Sequence, residues 1–329
     1  MTEQTFDRRT RLGRRGFLAG SGLTLAGLAL GAPSGARAAD TALRLGDQKG
    51  GVEATLAVAN LLDKTPYKLE IAQFPAAAPL LEALNAGAVD VAWAGDAPTT
   101  FALANGVPAK IISAHRSNGG SVALLVKDQS PIRSVADLAG RTVGTGRGSI
   151  GHALVISALK RAGVPADSVK FAFLQPSDAK AALETNAIDA WSTWGLYVST
   201  GLLAAKYRLV FDGQNGILSG LGYLVAHDKA IATKREALAD FVSRTARARD
   251  WVTNHVDDYA RHLAGLVGAP FEIARDSHVR APTVVVPIDP AVIADQQRTA
   301  DLYSDAGVIA KRFDVARFFD TSFNSALTN

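Results

Sequence analysis

The chain contains no cysteine. That absence excludes disulfides, thiolate metal sites, a cysteine nucleophile and a lipid-modified N-terminal cysteine. Excess charge is scarce too, once the first segment is set aside. Residues 1–39 hold six arginines, at positions 8, 9, 11, 14, 15 and 37, against Glu3 and Asp7, which accounts for the whole net charge of +4. The rest of the chain balances at 29 basic and 29 acidic residues. A neutral body lacks the persistent positive face that nucleic-acid binding requires. Catalytic signatures are equally thin. The six histidines (115, 152, 227, 255, 262 and 278) form no H-E-x-x-H, and no G-x-S-x-G elbow occurs. The carboxylates lie at caps, helix faces and strand ends without an evident acid/base pair. No catalytic residue, metal site or cofactor is therefore expected.

The N-terminal segment reads as a targeting sequence. Arg14-Arg15-Gly16-Phe17-Leu18 is a twin-arginine signature, followed by a mild Gly/Ala-rich apolar run to Ala32 and a small-x-small cleavage site at Ala36-Arg37-Ala38. The run from Gly16 to Ala32 is barely apolar enough to span a bilayer, and its flanks suit removal. The expected mature chain begins at Ala39 or Asp40 and is soluble in the periplasm.

The most informative stretch is Arg141–Gly163, which reads as a strand, a glycine-rich turn and a helix opening on Ser149. Glycines at 144, 146, 148 and 151 let the backbone approach a ligand, Ser149 can cap the helix, and the first-turn amides have no partner within it. Arg147 adds a planar donor fork suited to an oxyanion. The same pattern occurs earlier: Leu45-Gly46-Asp47-Gln48-Lys49-Gly50-Gly51 aligns with Val143–Ser149 at an offset of 98, and Ala83–Asp90 aligns with Ala182–Asp189 at an offset of 99. Two such units predict two similar lobes with facing helix N-termini that clamp one anion. Gly146-Arg147-Gly148-Ser149-Ile150-Gly151 also satisfies G-x-G-x-x-G, but a dinucleotide site predicts an acid at the end of the next strand, where Leu174-Gln175-Pro176 stands. His152 reads as a first-turn helix residue beside the seat.

Periodicity predicts strands at 43–45, 69–74, 89–93, 110–114, 169–174, 188–192 and 208–211, alternating with helices that include 52–62, 99–105 and 178–185. This alternation argues for an α/β protein with parallel sheets. Val122–Val126 and Gly220–Ala226 are expected to cross between lobes. The tail is mostly helical, with an amphipathic stripe over 235–256 and closing helices over 289–307 and 315–326. The predicted division is lobe 1 from 40–121 plus 225–329 and lobe 2 from 122–224. Trp93 is expected to fill core, whereas Trp194, followed by Gly195, is placed to wall an organic substituent.

These segments carry a resemblance. Leu45–Gly51, Phe74–Gly87 with Asp90, Gly95-Asp96-Ala97-Pro98, Ser130–Arg141 and Asp189-Ala190-Trp191 resemble the aliphatic sulfonate-binding proteins of ABC importers, within the nitrate, sulfonate and taurine group. The resemblance implies a type II periplasmic-binding-protein fold: two α/β lobes, two crossover strands, and a ligand closed between them. Carried over by position, Gln48, Gly50, Gly51, Gly95, Asp96, Ala97, Gly148, Ser149, Trp191 and Trp194 line the cleft. Arg147, Lys49 at its place in the first repeat, and Ser117 in the loop before the first crossing complete the candidate set. The implied partners are a small organic sulfonate or sulfate ester and an inner-membrane permease, with the receptor expected to be monomeric. Family members commonly continue past the second tryptophan with Asp-Pro-Tyr, whereas here Gly195-Leu196-Tyr197 follows. That departure leaves the ligand's organic end open. Nitrate or bicarbonate binding keeps the fold but needs a smaller, wetter cleft. A related desulfinase uses the fold with a cysteine nucleophile, which this chain does not have.

Overall fold

The computed structural model describes residues 41–328, so the twin-arginine signature and the cleavage site lie outside the described residues. The first sheet opens with β1 (Ala42–Gln48), α1 (Val52–Val58), β2 (Lys68–Phe74), α2 (Ala77–Asn85), β3 (Val91–Gly95), α3 (Asp96–Ala104) and β4 (Ala109–Arg116). The chain then leaves it for β5 (Val122–Val126), β6 (Thr142–Thr145), α4 (Ile150–Ala162), β7 (Lys170–Phe173), α5 (Pro176–Glu184), β8 (Ala190–Trp194), α6 (Leu196–Leu203) and β9 (Arg208–Asp212). It returns through β10 (Leu221–His227) to α7 (Asp228–Thr233), α8 (Arg235–Asn254), α9 (Val256–Val267), α10 (Phe271–Val279), β11 (Val284–Val286) and α11 (Pro290–Asp305). The strand orders are β2-β1-β3-β10-β4-β11 and β7-β6-β8-β5-β9.

The repeat seen in the sequence is physical. Strands β1, β2 and β3 occupy the places that β6, β7 and β8 occupy in the second sheet, with parallel pairing in both. The repeated aspartates do the same work in each half. Asp90 donates its amide to Arg44 O and accepts the Arg44 amide at 2.8 Å; Asp189 donates to Thr142 O and accepts the Thr142 amide at 2.8 Å. Each carboxylate thereby tethers the start of the first strand to the start of the third. Burial raises the ionisation point of Asp90, but the Arg44 and Lys234 cations beside it more than reverse this and leave it below the ordinary value.

Both sheets are covered on both faces, so inner strands such as β5 and β10 are buried along nearly their whole length and read as near-continuous apolar runs, while the edge strands β2 and β7 stay partly exposed. Leu80, Leu84, Ile111 and Tyr223 pack on one face of the first sheet, and Leu43, Leu45, Leu224 and Phe241 on the other. In the second, β5 sends Leu124 and Val126 one way and Ala123 and Leu125 the other.

The expected parallel sheets are mixed. Strand β10 runs antiparallel to β3 and β4, and β5 antiparallel to β8 and β9. The cause is the crossing itself: a strand that arrives from the other sheet enters at the cleft edge, where its parallel neighbours end. Helix α1 is shorter than its apolar spacing predicts. Asn60 takes a left-handed φ of 55° and Leu61 donates to Leu56 O at 2.8 Å, a Schellman stop. Helix α3 begins earlier than expected, because Pro98 falls in the first turn, where its missing N–H is no loss. Residues 315–326, predicted as a helix, form two 3₁₀ segments. The short α6, α10 and β11 carried too little periodicity to be read.

Candidate ligand-binding site

The two glycine turns face one cavity of about 1310 Å³. Of the predicted residues, Gln48, Lys49, Gly50, Gly51, Gly95, Ser117, Arg147, Gly148, Ser149 and Trp194 line it. Three predicted residues do not, and the expectations for them are corrected. Trp191 is only 1% exposed and fills the second sheet's core against Tyr197 and Tyr207, because its position on β8 points it away from the cleft. Asp96 is fully enclosed: its carboxylate accepts from the Ala97 amide, Ser219 Oγ and Thr299 Oγ1, which ties α3 to the second crossover and to α11. Burial pushes its ionisation upward. Ala97 is buried behind it. Trp93, expected as core filler, instead borders the cavity and donates its indole N–H to His115 Nε2.

Glycine is required at the equivalent positions 50 and 148, where φ is +84° and +65°. A Cβ at Gly50 would lie 2.7 Å from Leu263 Cδ1, and one at Gly148 would lie 2.6 Å from Phe101 Cγ. Each turn is also pinned by a tyrosine. Tyr259 Oη donates to Gly50 O at 3.0 Å, and Tyr303 Oη, on α11, donates to Ser149 O at 2.8 Å.

The predicted symmetrical clamp is not symmetrical. At the first turn, Asp47 is fully buried and accepts the amides of Gln48 and Glu53, both at 2.8 Å. Its carboxylate already occupies the N-terminus of α1. Burial raises its ionisation to about 6, with the Glu53, Val52 and Gln48 amides and then Arg249 opposing. The second turn has Thr145 at the matching position, and the cap there is neutral: Ser149 Oγ accepts the His152 amide at 3.2 Å. The amides of Ile150 and Gly151 have no partner among the described residues. His152 itself lies outside the cavity wall. Its Nδ1 accepts the Gly148 amide at 3.3 Å, and burial drops its ionisation to about 4. Arg147 is exposed at the rim, 4.0 Å over the Phe173 ring.

Sequence reading missed the wall contributed by the C-terminal helices. Arg249 from α8, Tyr259 from α9 and His278 from α10 join Trp93 and His115 around one end of the cavity. Arg249 is half-buried, its guanidinium lies 5.9 Å from the Trp93 ring centre, and that guanidinium forms no ion pair or hydrogen bond among the described residues. Burial lowers its pKa, with Tyr259 and Asp47 opposing. His115 is neutral, its ionisation depressed to about 3 by burial and then by Arg249, and its Nδ1 has no hydrogen-bond partner. The one signal available in sequence was that Arg249 falls among the apolar stripe residues of α8, beside Ala248. Among the described residues no group of histidines and carboxylates could hold a metal, and no helix is long and apolar enough to cross a membrane.

Comparison with known proteins places this geometry. Residues 67–258 match the family described as NMT1/THI5 like. The chain is 35% identical over 301 residues to the aliphatic sulfonates-binding protein of Escherichia coli (strain K12), covering 89% of this chain and 93% of that one. The alkanesulfonate-binding protein of Xanthomonas axonopodis pv. citri bound to MOPS superposes with a TM-score of 0.80 at 28% identity, over 86% of this chain and 99% of that one. The crystal structure of the periplasmic aliphatic sulphonate binding protein of Escherichia coli gives 0.73 at 30% identity, over 85% and 92%. With two mixed α/β sheets around one cleft and this identity along nearly all of the described chain, the protein belongs to the NMT1/THI5-like family and, among its members, to the aliphatic sulfonate-binding proteins.

Proposed function

We propose that the protein is a periplasmic receptor that captures an organosulfur oxyanion, an alkyl or aryl sulfonate or a sulfate ester, and delivers it to an ABC permease in the inner membrane. The observation that carries this reading is the convergence of the turns at 48–51 and 146–149 on one cleft between two sheets. In this reading residues 40–121 with 225–329 form one lobe, 122–224 the other, and the segments near 117–121 and 213–220 the hinge. The headgroup is met by the free amides opening α4 and by the Gln48 carboxamide, which has no partner among the described residues; Ser149 and Arg147 stand beside them. Helix-terminal dipoles hold a permanent anion at modest desolvation cost provided its oxygens are bonded. Trp194 shelters the tail. The size of the cavity and its aromatic walls favour an organic anion over nitrate or bicarbonate.

The chain is read as a binder and not an enzyme: the candidate set holds no nucleophile with an adjacent base, and the family resemblance that could supply one needs a cysteine. Export by the twin-arginine route with cleavage before Ala39 or Asp40 delivers a monomer to the periplasm. Thermal-shift screening against alkanesulfonates, taurine, arylsulfonates, sulfate esters, nitrate and bicarbonate tests the proposal. A ligand at a hundredfold excess over Kd stabilises by about 2.7 kcal/mol. Stabilisation by no organosulfur anion overturns the reading, and stabilisation by nitrate or bicarbonate alone replaces it.

A further inference from the structure

The wall formed by α8, α9 and α10 holds a cation that the fold leaves uncompensated. Arg249 borders the cavity, yet no carboxylate of the described residues comes within ion-pair distance of it. The nearest acid acting on it, Asp47, has both oxygens turned to backbone amides. The other groups acting on Arg249, or acted on by it, are Tyr259, His115 and His278, all neutral at physiological pH. Surface arginines without partners are solvated by bulk water, but this guanidinium is half-buried and backed by the Trp93 ring. A second, independent vacancy stands on the same wall. His115 Nε2 accepts from Trp93, which puts the ring proton on Nδ1, and that N–H is buried without an acceptor among the described residues. Arg249 and the His115 ring both border the cleft, and the His115 Nδ1–H itself is buried in the wall. The α4 terminus adjoins the same region: Ile150 Cβ is 4.0 Å from where a Cβ on Gly95 would sit, two residues along β3 from Trp93.

On the reading that the ligand is an organosulfur anion, we propose that Arg249 is its counter-charge, a binding residue supplied by a C-terminal helix in addition to the two glycine turns.

Isothermal titration of the purified protein, Arg249→Gln and Arg249→Lys with propane-1-sulfonate and the neutral propane-1-sulfonamide tests this. The expected result is a loss of at least thirtyfold in propane-1-sulfonate affinity for Arg249→Gln, a smaller loss for Arg249→Lys, and little change for the sulfonamide, with the urea midpoint of the ligand-free protein unchanged. An Arg249→Gln variant that keeps propane-1-sulfonate affinity within threefold overturns the inference while leaving the receptor reading intact. Equal losses for the sulfonate and the sulfonamide also overturn it, since they mark a structural role. If the unaltered protein binds none of the organosulfur anions, the receptor reading itself has failed. Should Arg249→Gln not fold, the Arg249→Lys comparison of charged and neutral ligand decides the matter by the same criterion.

Discussion

Asp47 offers the sharpest test of how the first turn is built. Its carboxyl ionises near pH 6 in the folded chain, against 3.8 ordinarily, and burial is the leading cause. A carboxyl raised in the folded state holds its proton there after the unfolded chain has released it. Stability from this group is therefore greatest in acid and falls as pH rises through the window from about 3.8 to 6. The gap corresponds to about 3 kcal/mol when fully traversed. Asp47→Asn removes the titration. The amide oxygen can still accept one of the two N–H groups, while its NH₂ confronts the other, a fixed penalty of about 1–3 kcal/mol that does not vary with pH. Urea unfolding of both proteins at pH 4 to 8, followed by circular dichroism, should show the unaltered protein losing about 2–3 kcal/mol relative to Asp47→Asn across that range. A difference flat to within about 0.5 kcal/mol, or one that grows in favour of the unaltered protein with rising pH, would refute the argument that this carboxylate is held in a low-dielectric pocket.

Three buried histidines act in the opposite sense. His115, His152 and His278 ionise near 3, 4 and 4, chiefly through burial, so the unfolded chain takes up protons that the folded one refuses. Stability should fall as pH drops from about 6.5 toward 4, and none of the three rings should titrate above pH 5 by NMR. Trp191→Ala should destabilise by about 3–5 kcal/mol, because it empties a closed core. Trp194→Ala should remain within about 1 kcal/mol in urea unfolding and instead weaken organosulfonate binding at least fivefold in titration calorimetry. Ser149→Ala should lose about 1 kcal/mol of stability with the α4 cap and weaken the same ligand, a pairing that calorimetry and urea unfolding resolve.

The legible part of the fold was the part that repeats. Offsets of 98 and 99 between two runs located the matching strands, and the invariant aspartate of each run proves to tie neighbouring strand starts together. The crossings near 121 and 220 were legible because each follows a glycine-containing loop and is apolar throughout. Strand direction was not. A run such as Val122–Val126, buried on both faces, is the same string whether it enters its sheet parallel or antiparallel, and only the edge at which the chain arrives decides. The tail resisted for a different reason. Helix α10 spans Phe271–Val279 and β11 only Val284–Val286, too few turns or alternations for a period to emerge.

The site divides along the same line. Backbone-built features follow from local sequence, so the two glycine turns were found and do meet in the cleft. Side chains that reach the cavity from distant helices were far harder to read: the one local mark on Arg249 is its place among the buried stripe residues of α8, and nothing in the sequence says which cavity that stripe borders. The repeat also concealed a chemical difference. Asp47 and Thr145 occupy equivalent positions, but a carboxylate there satisfies the α1 terminus from within, while a hydroxyl leaves the α4 terminus to be satisfied from the cleft. Two seats of equal geometry are thus unequal in charge: one already holds an anion belonging to the chain, and the other retains unpaired amides. A ligand anion placed between them meets repulsion from the first side unless a cation intervenes; Lys49, exposed in the turn, and Arg249, half-buried on α8, both border the cavity and form no ion pair among the described residues.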